Sequence, residues 1–293
     1  MELRVLRYFL TVARLESITH AANVLHVTQP TLSRQLADLE KNLGTQLLIR
    51  GKKKVSLTDT GMLLRQRAEE ILTIADKTER EFKDQNNLVG GTISIGSVES
   101  LTSHYLFQTL KAFHEEYPQV NYYIYSGTGD DIKEKIDKGL LEIGILLEPI
   151  NIEKYDFIRL PQKERWGILT QASSPLAQKE YVTPNDLVGV PLLLSSRPTL
   201  QNEIANWFAD EYENIHVLAT YNLISNIVNF VDNGMGTAIC IEGALAMTGS
   251  KHLCFRPFFP ELKFSCVIVW KKHKIFNQAT SHLIQLIKYA SQA

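Results

Sequence analysis

Gln29, Thr31, Ser33 and Arg34 crowd amide, hydroxyl and guanidinium groups into one short stretch beside Thr28 and Pro30. Such groups match the hydrogen-bonding edges of nucleic acids: glutamine can pair with adenine, and arginine with guanine or a phosphate. Bond-making chemistry is harder to find. The chain has no Gly-x-Ser-x-Gly elbow and no His-Glu-x-x-His pair, and His114-Glu115-Glu116-Tyr117 lacks the second histidine of a zinc helix. Gly234-Met235-Gly236 supplies two glycines of a dinucleotide fingerprint, but Ile239 stands where the third belongs and the segment leads into a strand pattern. The expectation is a binding protein, not an enzyme, with no catalytic residues, cofactor or metal.

The elements that must carry the polar stretch are helical. Leu3, Leu6, Phe9, Leu10 and Ala13 predict an amphipathic helix over 3–15, with Arg4, Arg7 and Arg14 off its apolar stripe. Ser17 is placed to cap a second helix through Leu25, in which the small pair Ala21-Ala22 lets another helix approach closely. Thr28 is placed to cap a third, with Pro30 in its first turn, where a missing N–H costs nothing. Leu32, Leu36, Leu39 and Leu43 form the expected inward stripe of that helix. Two apolar runs, Leu47-Leu48-Ile49 and Val55-Ser56-Leu57, flank Arg50-Gly51-Lys52-Lys53-Lys54 and predict a hairpin wing. A run of three lysines is by itself a solvated turn. Here it follows a short helix, a turn and a second helix with a polar, basic start, the geometry that puts a recognition helix in the major groove.

Charge distribution agrees. The whole chain is nearly neutral at −1, yet residues 1–58 hold nine Lys/Arg against four Asp/Glu. Beyond them Thr58 begins a helical pattern to about Asp84. Leu64, Ala68, Ile71, Ala75, Thr78 and Phe82 recur there at heptad spacing, which favours an intermolecular helix pair over a lone surface helix. A dimer would present two recognition helices to two half-sites. Asn86-Asn87-Leu88-Val89-Gly90-Gly91 then breaks the pattern.

From Thr92 onward short apolar strands alternate with helices, a two-lobed α/β arrangement whose cleft would bind a small molecule. The expected boundaries are 1–58, a linker helix and hinge over 59–89, and 90–293, with one lobe about 90–161 and 267–293 and the other about 162–266. Three turns supply candidate cleft groups: Ser97, Ser100 and Thr102 in the first, Thr128 in the second, and Ser195, Ser196 and Arg197 in the third, with Asn222 at a further helix start. The commoner role of such hydroxyls is to cap helices. Free N–H groups at helix starts together with Arg197 favour an anionic ligand. Glu99 argues the other way, because a carboxylate beside an anion site repels it.

The stretch Ser17-x-Thr19-x-Ala21-Ala22-x-x-Leu25-x-Val27-Thr28-Gln29-Pro30-x-Leu32-Ser33-Arg34-Gln35-Leu36, followed by Leu39-Glu40-x-x-Leu43-Gly44, resembles the signature of LysR-type transcriptional regulators. The resemblance continues through Leu47-Leu48-x-Arg50 and Val55-x-Leu57-Thr58-x-x-Gly61, with Leu48 where that family usually has Phe and Lys54 where Arg is common. Gly139-x-Leu141-Glu142-Ile143-Gly144-Ile145 and Asn233-Gly234-Met235-Gly236-Thr237-Ala238 resemble turn-strand patterns of the family's effector domain, itself similar to periplasmic solute-binding proteins. The resemblance implies a winged helix-turn-helix, a linker helix and an effector domain. It implies Gln29, Pro30, Thr31, Ser33 and Arg34 at double-stranded DNA with Arg50 and Lys53 in the wing, a dimer or tetramer, and a small-molecule effector.

Composition excludes several other classes. At 293 residues, 44% hydrophobic and 22% charged, the chain is of ordinary globular make-up with room for more than one domain. No apolar run approaches the roughly 18 residues that cross a bilayer, and the start lacks a secretory apolar region, so a cytoplasmic protein is expected. Cys240, Cys254 and Cys266 lack zinc spacing, and two of them sit in apolar strand patterns where cysteine acts as a small core residue rather than a redox switch. A solute-binding protein or an α/β enzyme would fit the C-terminal part but leaves residues 1–58 unexplained.

Overall fold

The computed structural model of the chain describes residues 1–51, 54–83, 89–248 and 250–290, without the side chains of 80–83, 247 and 248. Lys53 and the Phe82 side chain therefore lie outside the described residues. The chain divides into two compact units, Met1–Asn86 and Asn87–Ala293.

In the first unit, α1 (Leu3–Leu15), α2 (Ile18–Val24) and α3 (Gln29–Leu43) precede a hairpin of β1 (Leu48–Arg50) and β2 (Val55–Leu57), and α4 (Asp59–Lys83) closes it. Local chemistry sets the boundaries. The Ser17 and Thr28 side chains accept from the backbone N–H groups of His20 and Thr31, and Gly44 ends α3 at φ 67°, a left-handed turn that suits glycine. The core is built by Leu6, Phe9, Val12, Ala21, Leu32, Leu36 and Leu39, joined by Leu47 and Leu48.

Two expected core positions are exposed. Leu3 and Leu43 lie outside, while Val5 and Val12 fill the α1 stripe. The left-handed turn at Gly44 carries Leu47 and Leu48 into the core, so the end of α3 has no inward face left to cover. The heptad seam is also corrected. Leu64, Ala68, Ile71 and Leu72 pack with Leu6 and Leu10 of the same chain, and among the described residues the large apolar side chains that α4 leaves exposed are Met62, Leu63 and Ile74. An Arg7–Asp76 ion pair adds to the α1–α4 contact.

The second unit runs β3 (Gly91–Ser97), α5 (Ser103–Glu116), β4 (Val120–Ser126), α6 (Gly129–Asp137), β5 (Ile143–Leu147) and the long β6 (Tyr155–Gln171). It continues through β7 (Pro191–Ser195), α7 (Pro198–Phe208), β8 (His216–Tyr221), α8 (Ile224–Asp232), β9 (Thr237–Ile241), α9 (Gly243–Thr248), β10 (Leu253–Pro257), β11 (Lys263–Lys271) and α10 (Gln278–Ala290). Among the described residues the strand order is β4-β3-β5-β11-β6-β9-β7-β8, with β10 on β6. The β3 and β7 strands pair in parallel with their neighbours, as βαβ units require, whereas β6 and β11 are antiparallel and pass from one half of the unit to the other. This mixed sheet with helices is the α/β class expected. One apolar cluster lies in the first half, around Ile132, Ile136 and Val267, and another in the second, around Leu193, Ile227 and Val231. A third runs through both halves, from Ile93 and Leu106 to Leu200 and Ile204.

Where the pattern misled, the reason is local. The length of β6 is masked by the charged run Gln162-Lys163-Glu164-Arg165, yet Glu164 is buried within the strand. The α7 helix stops at Phe208, where Ala209 takes a positive φ of 49° and a 3-10 turn follows. No glycine or proline marks that stop.

Candidate functional site

The start of α3 is a polar surface. Gln29, Pro30, Thr31 and Arg34 are exposed and Ser33 is half-buried. Arg50, leaving β1, donates from Nη1 to Ser33 Oγ at 3.1 Å and lies 3.6 Å from Glu40 Oε2. The other oxygen of Glu40 accepts from the backbone N–H groups of Leu47 and Leu48 at 2.8 and 3.0 Å. One carboxylate on α3 thus fixes where the hairpin begins and steers its arginine toward the polar face. Sequence reasoning gave Glu40 no role; the only signal was an acid in the last turn of α3. Glu40→Ala is expected to lower the stability of this unit by about 2 kcal/mol, since it strands two half-buried N–H donors, and denaturant titration of the full chain would measure it.

In the second unit a cavity of about 260 Å³ lies between the two halves. Of the expected groups, Thr128, Ser195, Ser196, Arg197 and Asn222 line it; Glu99 and Asp130 add two carboxylates. Leu147, Trp166, Leu200, Ile224 and Ile241 form apolar walls. Ser97, Ser100 and Thr102 are not part of its lining. The hydroxyl of Ser97 donates to Val98 O at 3.0 Å, that of Ser100 accepts from Ser103 N at 3.2 Å, and the Thr102 N–H donates to the buried Glu164 at 2.7 Å, with its hydroxyl on the same oxygen. The Ser100 and Thr102 groups serve the start of α5, and the Ser97 hydroxyl the end of β3.

Two side chains cross the cavity in opposite senses. Arg197, ahead of α7, donates from Nη1 to Leu147 O at 2.9 Å and from Nη2 to Pro149 O. Glu99, after β3, accepts from Ile224 N at 2.7 Å and Ser225 N at 3.4 Å, the first N–H groups of α8. Arg197 is therefore spent on backbone carbonyls, and an α-helical N-terminus that could have held a ligand anion already holds the protein's own carboxylate.

The three cysteines are free, with Cys240 and Cys266 buried. Burial pushes the Cys266 thiol up to about 12 and the Cys240 thiol higher still, so neither is a thiolate near neutrality. Among the described residues no group of three or more His, Cys, Asp or Glu could hold a metal ion, and no helix is long and apolar enough to cross a membrane.

Residues 3–62 match the family model described as a bacterial regulatory helix-turn-helix protein of the lysR family, and residues 86–292 match the LysR substrate binding domain. The chain belongs to the LysR family. It is a DNA-binding transcription regulator with an effector-binding domain. Among LysR-family relatives, the Hca operon transcriptional activator HcaR of Escherichia coli (strain K12) is 30% identical over 280 residues, 93% of this chain and 92% of that one. The uncharacterized HTH-type transcriptional regulator YvbU of Bacillus subtilis (strain 168) is 26% identical, covering 89% of each. The full-length structure of CbnR complexed with its target DNA aligns with a TM-score of 0.76 at 22% identity, over 99% of this chain and 100% of that one, a likeness of fold.

Proposed function

We propose that this LysR-family regulator reads a DNA duplex with the N-terminal end of α3, Gln29 and Arg34 meeting base edges while Pro30, Thr31 and Ser33 pack along the groove. Arg50 and Lys53 of the wing take phosphates. The observation that carries this reading is the exposed polar start of α3 with Arg50 tethered beside it through Ser33 and Glu40. That CbnR has been seen with its target DNA supports the same use of the same fold. The protein acts in the cytoplasm, where its DNA is, and not as an enzyme. It works as a dimer or tetramer, a reading supported by the exposed Met62, Leu63 and Ile74 of α4.

The cavity holds the effector. A ligand there competes with or reinforces the crossings made by Glu99 and Arg197, so its binding energy differs between arrangements of the two halves, and by linkage the DNA affinity of the chain changes with it. The apolar cluster shared by both halves favours a small shift of packed elements over wide opening.

Gln29→Ala and Arg34→Ala should each weaken binding to the operator by about 1 to 3 kcal/mol while leaving non-specific binding little changed. Lys53→Ala should instead reduce the salt slope by about 1. Fluorescence-anisotropy titrations at several salt concentrations measure both, and full specific affinity in both α3 variants would sink the assignment.

A further inference from the structure

The cavity between the two halves of the second unit differs from what its turn sequences imply, and the difference concerns charge. Three of the four helices that begin beside it are capped from within the chain; α7 has no side-chain cap. The N-terminus of α5 has Ser100 and Glu164 on its first N–H groups, and that of α6 has a capping box of Thr128 and Asp131. Pro198 at the start of α7 removes one donor outright, and Glu99 covers α8. Arg197, the lining cation, spends both Nη groups on carbonyls. What remains facing the space is an apolar wall, the hydroxyls of Ser195 and Ser196, the Asn222 side chain and two carboxylates, Glu99 and Asp130. Asp130 is compensated by Lys133 at 3.7 Å and by the nearby charge of Arg197. Two donors close by, Arg197 Nε and Trp166 Nε1, are enclosed without partners. A neutral acceptor such as a hydroxyl oxygen suffices for them, whereas a ligand carboxylate would have to displace Glu99 or lie against it.

Resting on the reading of this cavity as the effector site, we infer that it takes a compact, mainly apolar molecule with a cationic or neutral hydrogen-bond-donating head and rejects the carboxylate of the same skeleton. Glu99 is the discriminating residue. With the volume at about 260 Å³, just below the low end of pockets that hold drug-sized ligands, the molecule is a small metabolite. A like charge set against the half-buried Glu99 is disfavoured, whereas an ammonium or hydroxyl gains an acceptor there.

The test uses three probes of one skeleton, phenylethylamine, phenylethanol and phenylacetate, titrated calorimetrically into the full-length chain, Glu99→Gln and Ser196→Trp. Gln keeps an oxygen for the Ile224 N–H and removes only the charge; Trp at 196 fills the cavity. The amine and the alcohol should bind at least about tenfold more tightly than the acid. Glu99→Gln should shrink that ratio severalfold, chiefly by improving the acid, and Ser196→Trp should abolish binding. The ligand class is overturned if the acid binds the wild-type chain as well as the others, if Glu99→Gln leaves the ratio unchanged, or if neither amine nor alcohol binds at millimolar concentration. Acid binding that Ser196→Trp removes would overturn the ligand class yet leave the cavity as effector site. Binding that survives Ser196→Trp would remove the cavity reading itself.

Discussion

Gly61→Val will lower the stability of the N-terminal unit by about 3 kcal/mol or more and take specific DNA binding with it. Gly61 sits in the first turn of α4 and is buried. A Cβ there would stand 2.2 Å from the carbonyl oxygen of Leu47 and 3.1 Å from its carbon, both backbone atoms that no rotamer change can clear. The same carbonyl accepts from Thr58 N at 3.0 Å, and the Thr58 hydroxyl donates to Gln46 O at 2.7 Å while accepting from Gly61 N at 3.0 Å. The helix start and the base of the wing are thus one joint, and a β-branched side chain forces them apart. Because Glu40 fixes Leu47 and Leu48 from the other side, the displacement reaches Arg50 beside the α3 surface. Calorimetric melting of the full chain with an operator-binding titration would measure both effects. A variant that melts and binds like the parent would show that the joint yields, and that the wing does not need it.

Gly61 was visible in the sequence as part of a motif, though its spacing there says nothing of why. In general the first unit was legible because its elements are bounded by short-range chemistry: Ser17, Thr28 and Gly44 each act on N–H or carbonyl groups within a few residues. The seam of α4 was legible only in part. A stripe at heptad spacing shows that a helix packs, but not against which helix, and Leu64, Ala68 and Ile71 turned out to face α1 of their own chain. Over so few turns a spacing of 3.5 cannot be told from 3.6.

The cavity shows the same division. Strand-end turns supplied Thr128, Ser195, Ser196, Arg197 and Asn222, which line one cavity. Whether a hydroxyl faces the space or its own helix depends on partners far along the chain. Thr102 is held by Glu164, which lies in a strand that the charged run around it had disguised as loop. The expectation of an anionic ligand rested on Arg197, and nothing near Leu147 or Pro149 in sequence signals that their carbonyls will claim a guanidinium from the other half.

That claim gives the second large effect. Arg197→Met should destabilise the C-terminal unit by about 3 to 5 kcal/mol, since two charge-assisted hydrogen bonds are lost and two carbonyls of a half-buried corner are left without a donor. Methionine keeps the packing of the arginine stem, so the loss reports the guanidinium rather than a void. Arg197→Lys is the sharper control. Lysine offers its donors from one nitrogen on a freely rotating stem and lacks the planar two-nitrogen fork that meets Leu147 O and Pro149 O, so it should recover less than half of the loss. Hydrogen exchange along β5 and α7 would accelerate in both variants if the crossing joins the two halves, and the melting transition of the unit would fall with it. If Arg197→Lys melted with the parent, charge alone would be sufficient, and the crossing would be an electrostatic attraction and not the two-point clasp its geometry describes. Since Glu99 reaches across the same cavity in the opposite direction, Arg197→Met leaves Glu99 as the remaining side-chain crossing of that cavity.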